Sequence, residues 1–279
     1  MSAFQNPPSR LRDAPAEPLL ARLFGFRTRL YLTWAVMLLL CVAFFLSFDL
    51  KLAIILDKWR NLVGINLAPN GFLQGAALTL FLSFCSIWVS LLLGFVTALG
   101  RMSSSAVAFG VASFYASFFR RTPLLIQILL IYLGLPQLGV VPGAISAGIL
   151  ALSLNYGAYL SEIFRAGIIG VPQGQREAAA ALGMNRTLTF WRIVLPQAMR
   201  TIIPPTTNQF ISMLKDSSLV SVMGVWEVMF LAQSYGRASY RYIEMLSAAA
   251  LLYWLMSIGL ELIQARLERH YGRAYDTRR

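Results

Sequence analysis

Six stretches of the chain are apolar over about the 20 residues that a helix needs to cross the hydrocarbon core of a bilayer. They are residues 30–48, 72–100, 112–135, 144–169, 204–223 and 243–263. The first two are nearly unbroken. The fourth carries Asn155, Glu162 and Arg165, and the fifth, the most polar, carries Lys215 and Asp216. The pattern predicts an all-α polytopic membrane bundle of about six transmembrane helices. Residues 1–29 form a polar tail with Pro7, Pro8, Pro15 and Pro18, which predicts a flexible segment. It is too long a leader, and the run after it too long a core, for a secretory signal. The transmembrane domain is expected to cover 30–270, with a polar loop at 171–196 and a short tail at 271–279.

Composition supports the same solvent. Hydrophobic residues make up 57% of the 279 positions and charged residues 13%, against roughly 25% in a water-soluble domain. Too few polar groups exist to cover a globular surface, so part of the surface meets membrane lipid. The one histidine is His270, and the two cysteines, Cys41 and Cys85, lie in apolar runs. This inventory provides no His/Cys metal cluster and no catalytic triad, so neither a metal site nor a catalytic residue is expected. Lys51, Lys58 and Lys215 are the only lysines, and none follows a glycine. A phosphate-binding loop is therefore missing, and the chain is not expected to hydrolyse nucleotide itself.

The net charge of +12 could suggest nucleic acid, but its placement argues otherwise. With the N-terminus inside, the inner face receives five arginines of the N-terminal tail, Arg101, five arginines of the 165–200 segment and five of the C-terminal tail. The outer face receives Lys51, Lys58, Arg60, Arg237 and Arg241. This asymmetry follows the positive-inside rule with both termini cytoplasmic, and no nucleic-acid recognition module is visible.

The polar loop then falls on the cytoplasmic side. Pro172 suits a first helical turn, Glu177 and the alanines after it favour helix, and Gly183 suits a C-terminal cap. Thr187 is expected to N-cap a second short helix and Pro196 to break it. Two readings of this pair of helices stay open: a surface for another protein, or a connection packed on its own bundle.

Ionisable groups at membrane depth are costly and call for a partner or a water-filled path. Asn155, Tyr159 and Glu162 share one helical face, and Arg165 lies one turn beyond Glu162. Asn155, Tyr159 and Glu162 line a substrate path in one reading, with Glu162 attracting a substrate amino or guanidinium group. In the other, Glu162 bridges internally to Arg165. Lys215 and Asp216 offer the same choice between substrate contact and structure. Arg120 and Arg121 precede Pro123, where a kink would free carbonyls that an arginine could satisfy.

Several separated motifs carry a resemblance. Glu177-Ala178-Ala179, then Gly183, then Ile193 and Leu195-Pro196 resemble the cytoplasmic loop of binding-protein-dependent ABC importer permeases. Arg120-Arg121-Thr122-Pro123-Leu124, the stretch 153–167, Gly174-Gln175, Leu195-Pro196-Gln197-Ala198 and 215–220 are similar to the polar amino-acid permease branch. Arg121 and Ser217 depart from residues common there. The resemblance spans about 71–270. It implies a multi-pass subunit of the bacterial inner membrane that transports a polar amino acid or related compound. It also implies a second permease subunit (same or sister chain), a periplasmic or extracellular substrate-binding protein and a cytoplasmic ABC ATPase dimer. ATP and Mg would belong to that ATPase, with no cofactor on this chain. Glu177, Ala178, Ala179, Gly183, Ile193, Leu195 and Pro196 would form the ATPase-coupling loop. The rival reading is a secondary transporter driven by an ion gradient through Glu162 and Asp216.

Overall fold

A computed structural model describes residues 25–48 and 50–272, which divide into two units at Lys51 and Leu52. Most of the tail expected at 1–29, and all of 271–279 beyond Gly272, lie outside the described residues. In the first unit a single helix, α1 (Phe26–Leu46), covers most of the expected first span. It starts four residues early, with Arg29 inside it and the Thr33 hydroxyl donating to the Arg29 carbonyl (2.9 Å).

The second unit is helical among its described residues. Its order is α2 (Leu52–Val63), α3 (Gly75–Arg101), α4 (Ala106–Arg121), α5 (Leu124–Leu129), α6 (Ala144–Ile169), α7 (Gln173–Ala181), α8 (Arg186–Thr189), α9 (Leu195–Asp216), α10 (Val228–Ser239) and α11 (Tyr242–Gly272). By length and composition α3, α6 and α11 can each cross a membrane, and α4 with α5 makes a fourth crossing if the bent pair is one span. The sequence pattern predicts about six. Residues 204–223 do not make an apolar span because Asn208, Gln209, Lys215 and Asp216 dilute them; they form the end of α9 and a 3₁₀ helix, Ser217–Met223.

The frame is the crossing of α3 and α6. A Cβ on Gly94 would lie 2.7 Å from the Leu160 Cβ, and one on Gly157 would lie 2.9 Å from the Leu93 Cβ. Only the missing side chains let the helices approach this closely. Serines complete the seam: Ser90 Oγ donates to the Ser153 carbonyl (3.2 Å) and Ser153 Oγ to the Ser86 carbonyl (3.3 Å). Leu78, Leu82, Leu152, Leu160, Ile168, Ile202 and Met213 fill the core around it. On the far side of α3, Trp88, Leu92 and Val96 stand exposed one turn apart, as a lipid-facing stripe requires.

At the opposite end of α3 a buried carboxylate joins three elements. Glu227 caps α10 by accepting from the Met229 and Phe230 amides (2.9 and 2.7 Å). It also accepts from Tyr253 Oη of α11 (2.5 Å), and the Gly75 amide donates to the neighbouring Trp226 carbonyl (2.8 Å). Nothing in the residue pattern distinguished Glu227, because Tyr253, the side chain that meets it, lies 26 residues away in the chain.

The third apolar stretch is not one straight helix. α4 stops at Arg121, the chain turns by 109° at Thr122 and Pro123, and α5 continues through a π turn (Leu130–Gly134) and a 3₁₀ turn (Leu135–Leu138). The kink at Pro123 was expected. Its repair is different from the expected one: Gln127 Nε2 donates to the carbonyls of Phe119 (2.9 Å) and Thr122 (3.1 Å), and no arginine does so among the described residues.

Candidate functional site

The polar loop folds as two short helices, with three differences from the expected boundaries. Pro172 is the N-cap of α7 and not its first residue. Asn185, not Thr187, caps α8, accepting from the Leu188 amide (2.8 Å). Asparagine wins because Thr187 already sits inside the helix, where its backbone is helical and its hydroxyl cannot take the N-cap role. Pro196 does not break the chain. A π turn (Phe190–Val194) leads straight into α9, where Pro196 occupies the first turn and its missing N–H costs nothing.

Gly183 stands where the turn demands it. Its φ is +76°, its amide donates to the Ala180 carbonyl (2.9 Å) and the next amide, Met184, to the Ala179 carbonyl (3.0 Å). This pair of bonds is a Schellman closure, and a side chain at that φ is strained. Ala179 is buried, while Glu177 and Ala178 are exposed. Gln173 Nε2 donates to Glu177 Oε1 (2.8 Å). Ile193 lies half-buried in the π turn, Leu195 is half-buried and Pro196 exposed at the start of α9. Leu182 and Trp191 project from the loop, 81% and 54% exposed. A cleft of about 640 Å³ lies between the end of α6 and α7, lined by Ile169, Val171, Gln173, Arg176 and Glu177.

The loop is tied to the bundle at two points. Arg176 donates to the Ile168 carbonyl (2.8 Å), at the last turn of α6, where positive charge meets the helix dipole favourably. Gln197 Nε2 donates to Gln175 Oε1 and to the Ile193 carbonyl (both 3.0 Å), joining α7 to α9.

Within the bundle, the residues expected on one face of α6 separate by role. Asn155 is 5% exposed; its Nδ2 donates to the Phe119 carbonyl (2.9 Å) and to Gln127 Oε1 (3.1 Å). It supports the bend at Pro123. Tyr159 and Glu162 are more accessible. Tyr159 Oη donates to the Arg120 carbonyl (3.3 Å), and the Arg120 guanidinium lies 5.7 Å above its ring. Glu162 pairs with Arg165, as the bridging reading required, and also with Arg101 (2.5 Å) at the end of α3 and Arg120 (3.4 Å) at the end of α4. The two long-range partners were not predicted; Arg101 had counted only as an inner-face charge.

Asp216 accepts from Tyr156 Oη (2.7 Å), which links the end of α9 to α6. Tyr156 and Tyr159 have ring centres 6.3 Å apart. Two polar groups thus flank this tyrosine pair: Asp216 with Tyr156 on one side, and Tyr159, Arg120 and Glu162 on the other. Lys215 is exposed, on a different side of α9 from its neighbour, as adjacent helical positions must be.

The arrangement has a known frame. The family model described as the binding-protein-dependent transport system inner membrane component matches residues 90–273. The chain belongs to this family. It is a membrane permease component, and the family match gives the ion-gradient alternative no support. Among relatives, the arginine transport system permease protein ArtQ of Bacillus subtilis (strain 168) is 41% identical over 198 residues, covering 71% of this chain and 90% of ArtQ. The L-cystine transport system permease protein TcyB of the same organism is 40% identical over 200 residues, covering 71% of this chain and 86% of TcyB. A solved amino acid ABC transporter with histidines superposes with a TM-score of 0.72 at 35% identity, covering 80% of this permease and all of that chain. An inward-facing MetNI methionine ABC transporter shares the fold, with a TM-score of 0.56 at 20% identity over 70% of this chain and 92% of that one.

Proposed function

We propose that this permease is the translocating subunit of an ATP-driven importer of polar amino acids in the bacterial inner membrane. The observation that carries the reading is the loop at 171–196: two short helices, locked by the turn at Gly183 and bolted to α6 and α9. Such a body transmits a push. An ATPase dimer closing on ATP and Mg would displace α7, Arg176 would carry the displacement into α6, and Gln175 and Gln197 would carry it into α9. Those two helices bear Glu162 and Asp216, so the polar contacts of both would shift with the ATPase. The exposed Leu182 and Trp191 supply apolar contact area for that partner. A second permease subunit, of the same or a sister chain, would complete the path, and a substrate-binding protein would deliver cargo from outside.

The test is affinity purification of the tagged full chain from its host in mild detergent, beside a Gly183→Asp variant, with partners identified by mass spectrometry. An ATPase with a phosphate loop is expected to co-purify with the wild type and to fall at least about tenfold with the variant at equal membrane level. Leu182→Ala, which leaves the turn intact, is expected to weaken the same partner. No ATPase with any of the three would overturn the proposal.

A further inference from the structure

Three guanidiniums converge on one carboxylate toward the loop end of α6, so the cluster of Arg101, Arg120, Arg165 and Glu162 carries two positive charges in excess. Its arms are unequal. Arg101 holds Glu162 Oε2 at 2.5 Å and Arg165 holds Oε1, so both carboxylate oxygens have close partners. Arg120 reaches only the oxygen that Arg101 already holds, and at 3.4 Å, beyond a good N–H···O length. Its side chain is the most exposed of the three, at 37%. Among the described residues its guanidinium, with five N–H donors, makes no other hydrogen bond.

The mount of Arg120 is rigid. Its carbonyl is held by Tyr159 Oη, its guanidinium lies over the Tyr159 ring, and the bend three residues on is fixed by Gln127 and Asn155. A planar fork presented on a fixed backbone, with positive charge in excess around it, matches a carboxylate. A cation approaching Glu162 would instead have to displace two guanidiniums and meet the third.

We infer that Arg120 takes the carboxylate of the transported amino acid, an inference that rests on the import reading above. Glu162 is then a positioning residue, which neutralises and holds Arg101 and Arg165 so that Arg120 is left for the ligand. It does not receive the substrate's amino group.

Two measurements separate this inference from the reading beneath it. Uptake of a panel of labelled L-amino acids, including L-arginine, L-glutamine and L-cystine, is compared in host cells with and without the chain. The amino acid whose uptake depends on the chain becomes the probe. Binding of that probe and of its α-carboxamide is then measured on the purified membrane complex without the binding protein, whose own preference would otherwise intrude. The wild-type complex is expected to prefer the carboxylate by about tenfold or more. Arg120→Gln should bring that preference close to one, and Arg120→Lys should keep part of it. Uptake of no amino acid depending on the chain would overturn the import reading and this inference with it. Uptake that depends on the chain, with a wild-type complex binding both probes equally, overturns the role of Arg120 alone. So does an Arg120→Gln complex that keeps the wild-type preference.

Discussion

Single residues in this protein do most where a backbone group would otherwise go unpaired. Asn155 shows this: it supports the Phe119 carbonyl freed by the turn at Pro123 and orients the Gln127 amide, which shares that carbonyl and satisfies the one of Thr122. Replacing it with leucine removes a buried donor without removing its acceptors. Asn155→Leu is expected to cost about 1–3 kcal/mol and to lower the detergent melting temperature. A variant that melts with the wild type would show that the bend holds without it. Glu162→Gln leaves three guanidiniums without their counter-charge, so a lower yield of folded protein from membranes is expected, measured by fluorescence-detected size exclusion. The spacing of Asn155, Tyr159 and Glu162 correctly placed them on one helical face. It could not show that one of them holds a carbonyl 36 residues upstream, because spacing reports direction on one helix and not what lies opposite.

At the scale of elements, legibility depended on whether a feature is local. Gly183 was readable because a positive φ at a helix end is a property of a few consecutive residues. The break at Pro123 was readable for the same reason. The N-cap at Asn185 was missed by two positions, since Asn185 and Thr187 are both competent caps and only the packed helix decides. Continuity through Pro196 was also missed, because a π turn has no residue signature. The α3–α6 crossing makes a clean element-scale prediction. Gly94→Leu would place side-chain atoms where the Leu160 Cβ and the Gly157 carbonyl already stand. It is expected to destabilise the pair by about 1–3 kcal/mol, read as a lower melting temperature, whereas Leu92→Ala on the exposed face should be nearly silent.

At the scale of the whole molecule, composition announced a membrane protein and the motif order announced its family before any coordinate was needed. The span count was less accessible. Hydropathy treats a chain as a row of straight segments, and α9 with its 3₁₀ extension is neither straight nor uniformly apolar. Residues 204–216 also keep Pro204 and Pro205 within a helix, with Thr207 Oγ1 donating to the Ile203 carbonyl (2.7 Å), an arrangement that segment counting cannot represent. Removing the loop's ties should uncouple the molecule without unfolding it. Arg176→Ala is expected to leave yield and melting temperature near wild type while lowering uptake several-fold, and equal uptake would show that α6 takes no push through that contact.

The π turn at Phe190–Val194 sets the phase of everything after it. One turn there holds about one residue more than an α turn, so α9 enters the bundle rotated by about 100° from where an uninterrupted helix would point it. Lengthening that turn by a further residue, for example by inserting an alanine after Trp191, would act as a twist of the shaft. Lys215 would take the bearing that Asp216 now has, and Asp216 would leave Tyr156. A cysteine pair at positions 156 and 216 should cross-link readily in the natural chain and poorly in the lengthened one, which makes chain length at this point a dial for which charge the bundle sees.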